Sequence, residues 1–90
     1  MQKRLHAFFE GRVQGVGFRF TARALAQAAG VVGWAKNLNN GRVEILAEGS
    51  EEDLQRFQSL IEDQFRRYIC DTQIQWEDPT GEFDDFGIRL

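Results

Sequence analysis

The chain reads as a two-layer α+β domain, with two helices on one face of an antiparallel sheet in the order β-α-β-β-α-β. Three features lead to that expectation. Several short segments alternate polar and apolar residues, as strands with one buried face do. Two longer segments repeat apolar residues at helical spacing. The 90 residues, 42% hydrophobic with eight Phe and two Trp, suffice for one core and a single domain over 1–90.

In the first strand, residues 4–13, Leu5, Ala7, Phe9, Gly11 and Val13 share one face. Arg4, His6, Phe8, Glu10 and Arg12 share the other. Beyond a glycine-rich loop, Phe18, Ala22, Leu25 and Ala29 form a helical stripe. Further alanines keep that helix thin enough to lie close to a sheet, and Gly30 ends it as a left-handed cap. Val31 to Leu38 make a second strand with Trp34 as its largest apolar anchor. Asn39-Asn40-Gly41 then suits a type I′ hairpin turn. Arg42 to Glu48 return as a third strand, with Val43, Ile45 and Ala47 opposed to Arg42, Glu44, Glu48 and a stray Leu46.

Ser50 is a helix N-cap followed by Glu51, Glu52 and Asp53, where acids suit the helix dipole. Leu54, Phe57, Leu60, Ile61 and Phe65 are the apolar stripe of this second helix. Cys70, Thr72, Ile74 and Trp76 form the inward set of another strand, with Cys70 read as a core thiol. Asp78-Pro79-Thr80-Gly81 is a turn, and Phe86, Ile88 and Leu90 make a short last strand. Right-handed crossovers with a strand inserted between the crossover pair give the ferredoxin-like sandwich.

Composition removes several function classes. Cys70 is the only cysteine, which excludes a disulfide framework or zinc cluster and suggests a cytoplasmic setting. No run of about 18 apolar residues is present, and Met1-Gln2-Lys3-Arg4 leads directly into alternation, so neither a membrane span nor a signal peptide is expected. An RNA platform needs exposed aromatics beside a basic surface, and Phe8 alone is a poor one, so no nucleic-acid partner is expected. The acids lack the loop spacing of oxygen ligands, so neither a metal nor a cofactor is expected. The net charge of −3 hides an asymmetry. Residues 1–42 carry seven basic side chains against one acid, and residues 43–90 four against thirteen. The basic half would draw in an anion.

That half contains Gly11-Arg12-Val13-Gln14-Gly15-Val16-Gly17-Phe18-Arg19, between the first strand and the first helix. Glycines there free the backbone to aim the N–H groups of Gln14, Gly15, Val16, Gly17 and Phe18 at one point, beside a helix N-terminus. Arg19 adds a guanidinium fork that matches two oxygens of a phosphate or carboxylate. The loop is neither a Walker sequence, lacking its lysine and hydroxyl, nor a dinucleotide fingerprint, lacking the third glycine. It suits a small anion. In this topology the first two strands run parallel, which brings Asn37 near the same sheet edge, where its amide can both donate to and accept from a water. An asparagine just before a hairpin also serves simply as a turn former.

The stretch Gly11 to Arg19, with Gly33-Trp34-Ala35-Lys36-Asn37 and Gly41-Arg42-Val43-Glu44, closely resembles the two signatures of the acylphosphatase family. The resemblance extends from the first strand to Phe86-Gly87-Ile88-Arg89. It implies a small acyl phosphate as substrate, inorganic phosphate as product, Arg19 and the loop amides as phosphate holders, and Asn37 as the positioner of the attacking water. The 90-residue length argues for a free-standing protein, nothing in the sequence requires more than a monomer, and the hydrolysis is expected to need no metal. Asn40 replaces a common Asp before the turn glycine, and Leu90 replaces a common terminal aromatic. The alternative is a ferredoxin-like module that binds an anion or a protein without catalysis.

Overall fold

A computed structural model describes residues 1–90. It contains strands β1 (Gln2–Gly11), β2 (Val32–Asn37), β3 (Val43–Ser50), β4 (Ile69–Glu77) and β5 (Phe86–Arg89), with helices α1 (Phe18–Ala29) and α2 (Glu51–Gln64). The strands form one sheet in the order β4-β1-β3-β2-β5. Four of them pair antiparallel, but β5 lies parallel to β2 at the sheet edge. The sheet is therefore mixed, which corrects the expectation of a purely antiparallel one. β4 ends at one margin of the sheet and β5 runs at the other, so the segment between them crosses the open face of the sheet.

Leu5, Ala7 and Phe9 of β1 and Val43, Ile45 and Ala47 of β3 form the buried face, as alternation requires. α2 covers β1 and β3, and α1 covers β2 and β5. The ring pairs Phe9–Phe18 and Phe18–Phe65, with centroids 5.3 and 4.4 Å apart, join β1, α1 and the end of α2. Each fully buried Phe contributes about 1.5–3 kcal/mol of burial free energy. On α1 the fully buried positions are Phe18, Ala22, Ala26 and Ala29. Ala26 thus holds the place expected for Leu25, which packs at the core margin. A methyl there lets the helix approach the sheet closely. Both expected caps form: Gly30 is left-handed at φ 77°, and the Ser50 hydroxyl accepts from the Asp53 N–H at 3.1 Å.

Other residues depart from the sequence pattern, each for a tertiary reason. Trp34 lies on the face away from the helices, because Gly33 and Ala35 take the inward positions; the Arg89 guanidinium stacks over its ring at 4.5 Å. Cys70 is exposed and is not a core thiol. The β1–β4 register slips between Glu10 and Gly11, so that Gly11 faces Ile69 and Cys70 becomes the extra residue of a bulge. Ile69 packs against the core in its stead. Thr72, Ile74 and Trp76 keep the expected face, but β4 lies beyond the cover of the helices and Trp76 remains 43% exposed.

The hairpin after β2 is not type I′, since no residue other than glycine has a positive φ. Gly41 N–H donates to the Leu38 carbonyl and Leu38 N–H to Arg42, with only Gly41 left-handed at φ 91°. That is a type I turn closed by a glycine bulge, stabilised by the Asn40 side chain accepting from Arg42 N–H at 3.0 Å.

The open face carries its own polar clamp. Glu48, only 4% exposed, accepts from the N–H groups of Thr80 and Gly81 and from Arg4 Nε, at 2.8, 3.0 and 2.9 Å. Burial alone would raise its carboxyl, but these donors outweigh burial and hold it below the usual carboxylate range. The turn between β4 and β5 is thereby tied to β3, which fixes where β5 begins.

Candidate active site

β1 and β2 both lie antiparallel to β3, on either side of it, so their C-terminal ends emerge at one edge. The registers are specific: Phe9 and Asn37 both face Val43, placing the three in one row across the sheet. Asn37 shares the parity of Gly33 and Ala35 and so turns toward the helix layer, where the loop leaving β1 meets the start of α1. The result is a pocket of about 170 Å³ lined by Val13, Gly15, Gly17, Phe18, Arg19, Phe20 and Asn37. No carboxylate, imidazole or thiol lines it.

Gly15 and Gly17 are both left-handed at φ 77°, while the residues between and around them have negative φ. Such alternation makes the backbone concavities that bind anions. The hydrogen-bond pattern agrees: no N–H from Gln14 to Phe20 donates to any protein acceptor, the first helical donor being Thr21 N–H to Gly17. A helix start leaves its own first N–H groups unpaired; here the loop before it adds more. The Gln14 side chain has a different task. Its Nε2 donates to the carbonyls of Leu38 and Arg42 at 2.8 and 3.0 Å, tying the loop to the hairpin that follows Asn37.

Arg19 makes no ion pair; its one side-chain hydrogen bond to the protein is a donation from Nη1 to the Arg89 carbonyl at 3.2 Å. β5 delivers that carbonyl, since Arg89 pairs with Lys36, the neighbour of Asn37. The remaining guanidinium donors stay available to an anion. Asn37 is the unusual member of the pocket. Its Oδ1 is buried without a hydrogen-bond partner, the only such side-chain atom in the protein. A buried amide oxygen left unpaired costs about 1–3 kcal/mol. An orphan of this kind is accounted for when a ligand or water fills the pocket.

Of the candidate residues, Gly15, Gly17, Phe18, Arg19 and Asn37 line this one pocket. Gln14 and Val16 belong to the same loop but do not line it, and Val16 is exposed. Three residues at the pocket were not among the candidates: Val13, read only as a buried strand residue, Phe20 and Arg89. The Arg89 carbonyl had no sequence signal, being a main-chain atom brought in by strand pairing. Phe20 did have one: it is an apolar residue off the buried stripe of α1.

A family model described as Acylphosphatase matches residues 5–88. An acylphosphatase of Haloarcula marismortui is 42% identical over 87 residues, covering 96% of this chain and 94% of its own. The crystal structure of acylphosphatase from Bacillus subtilis aligns with a TM-score of 0.89 at 32% identity, covering 98% of this chain and 99% of that one. Full-length HypF, in a phosphate- and nucleotide-bound form, aligns with a TM-score of 0.85 at 29% identity, although the match takes up only 12% of that longer chain. A shared fold, near-complete coverage and the family match over residues 5–88 lead to one conclusion: this chain belongs to the acylphosphatase family.

Proposed function

We propose that this protein hydrolyses the carboxyl–phosphate bond of small acyl phosphates, with the loop amides and Arg19 holding the phosphoryl group and Asn37 orienting the attacking water. The observation that carries this is the partnerless Asn37 Oδ1, buried in the same pocket as the glycine loop and Arg19. The hydrolase activity of the family supports it.

The chemistry asks little of acid–base groups. Water attacks phosphorus in line with the departing oxygen, and positioning with charge stabilisation carries most of such a transfer. Asn37 Oδ1 accepts one hydrogen of the water and turns its lone pair toward phosphorus. The phosphorus–oxygen bond to the acyl group breaks, and its electron pair leaves on the carboxylate. A carboxylate has a pKa of about 4, so no proton donor is needed for its departure. The water's proton passes to a phosphate oxygen of the substrate, leaving RCOO⁻ and H₂PO₄⁻. Arg19 and the unpaired N–H groups from Gln14 to Phe18 neutralise charge on the equatorial oxygens, aided by the helix dipole.

The same proposal takes the protein as a monomer working in the cytoplasm on a small-molecule substrate. No helix is long and apolar enough to cross a membrane. The test is hydrolysis of an aryl acyl phosphate in the presence of a chelator, followed by release of phosphate. Turnover is expected. Phosphate binding without any turnover would instead identify a non-catalytic anion-binding module.

A further inference from the structure

The pocket has a second end. If the phosphoryl group sits among the loop, Arg19 and Asn37, in-line geometry requires the acyl group to lie opposite the water. Asn37 Oδ1 is buried, so the water side is the floor and the acyl group leaves through the mouth. Among the side chains that line the pocket, Phe20 is the one that stands in solvent, 60% exposed. Folding gives Phe20 no reason to be aromatic, since it lies outside the core.

The ring is nonetheless held. Arg23, one helical turn on, places its guanidinium over Phe20 at 5.4 Å from the ring centroid and forms no ion pair of its own. That contact limits the rotamers of an otherwise free side chain and keeps an aromatic surface beside the pocket. We infer that Phe20, braced by Arg23, is the acyl subsite, and that it favours substrates whose acyl group is flat and apolar. The inference rests on the acyl phosphate hydrolysis proposed above and adds a preference on the side of the leaving group.

The test compares benzoyl phosphate with acetyl phosphate in the wild type, Phe20→Ala and Phe20→Leu. The readout is the ratio of their kcat/KM values. An aromatic pair contributes enough to change a rate by roughly 2- to 12-fold, so the benzoyl-to-acetyl ratio should fall by about that factor in Phe20→Ala. Phe20→Leu should fall between, keeping apolar contact without a ring. The inhibition constant of inorganic phosphate should stay with the wild type, since the cradle is untouched. An unchanged or increased ratio, including a parallel loss on both substrates, overturns the subsite. A wild type inert toward both compounds overturns the proposed hydrolysis itself, and the subsite with it.

Discussion

On the proposed mechanism, replacing Asn37 with Ala should separate catalysis from stability. The side chain forms no hydrogen bond with the protein, and its Oδ1 is buried without a partner. Truncation therefore abandons no hydrogen bond within the protein, because the oxygen's partner is whatever water or ligand fills the pocket. The cost is the loss of about 1 kcal/mol of packing from the deleted carbon. For a domain of this size Tm moves about 4–8 °C per kcal/mol, so it should fall by no more than that. Turnover should change far more. A water displaced by about 1 Å costs on the order of 100-fold in kcat, or about 2.7 kcal/mol, and complete loss of its acceptor should cost at least that. Phosphate affinity should change little, because Arg19 and the loop amides remain. The measurements are kcat on benzoyl phosphate, the inhibition constant of phosphate, and Tm by calorimetry, all on one protein. A stable variant that binds phosphate and turns over normally would refute the water-positioning role. A clear drop in Tm with turnover preserved would mark Asn37 as a support for the hairpin instead.

Three further outcomes follow from the same geometry. Arg19→Lys should recover little of the activity lost in Arg19→Ala, because an ammonium cannot reproduce the fork that holds two oxygens; near-normal kcat/KM in the lysine variant would count against it. Gly15→Ala meets no atom within 4 Å but must adopt φ 77°, at a strain of about 1–2 kcal/mol. Phosphate binding should weaken by roughly 5- to 30-fold, and more in Gly15→Val, whereas titration showing wild-type affinity in both would remove the cradle's need for glycine. Glu48→Gln should destabilise the fold by about 1–3 kcal/mol at neutral pH, as denaturant melts would report, because one amide oxygen cannot replace two carboxylate oxygens for the Thr80 and Gly81 N–H groups, while Arg4 keeps Glu82 at 3.0 Å. Because the folded carboxyl titrates below its ordinary value of 4.5, its contribution is present above that value and fades as pH falls through the depressed one. Over that acid window the wild type should lose stability more steeply than Glu48→Gln; parallel curves would show that the clamp is energetically idle.

The parts of this protein legible in its sequence are those whose cause is local. Alternation in β1 and β3, the Ser50 and Gly30 caps, and the glycine loop running into Arg19 each depend on neighbours a few residues away. Most residues of the candidate site were legible for the same reason, since Gly15, Gly17, Phe18 and Arg19 belong to one continuous stretch. What needed the tertiary structure depends on a distant partner. Trp34 and Cys70 turned outward because inward places are allotted by register, through the small residues of β2 and the bulge opposite Gly11. The parallel docking of β5 follows from a turn held by Glu48, a contact spanning about thirty residues of sequence. That docking brings the Arg89 carbonyl to Arg19. Most consequential is Asn37: its position in the chain placed it near a turn, but only the row it shares with Val43 and Phe9 leaves its oxygen buried and unpaired inside the pocket. Periodicity assigns a residue to a face; long-range packing decides what that face meets.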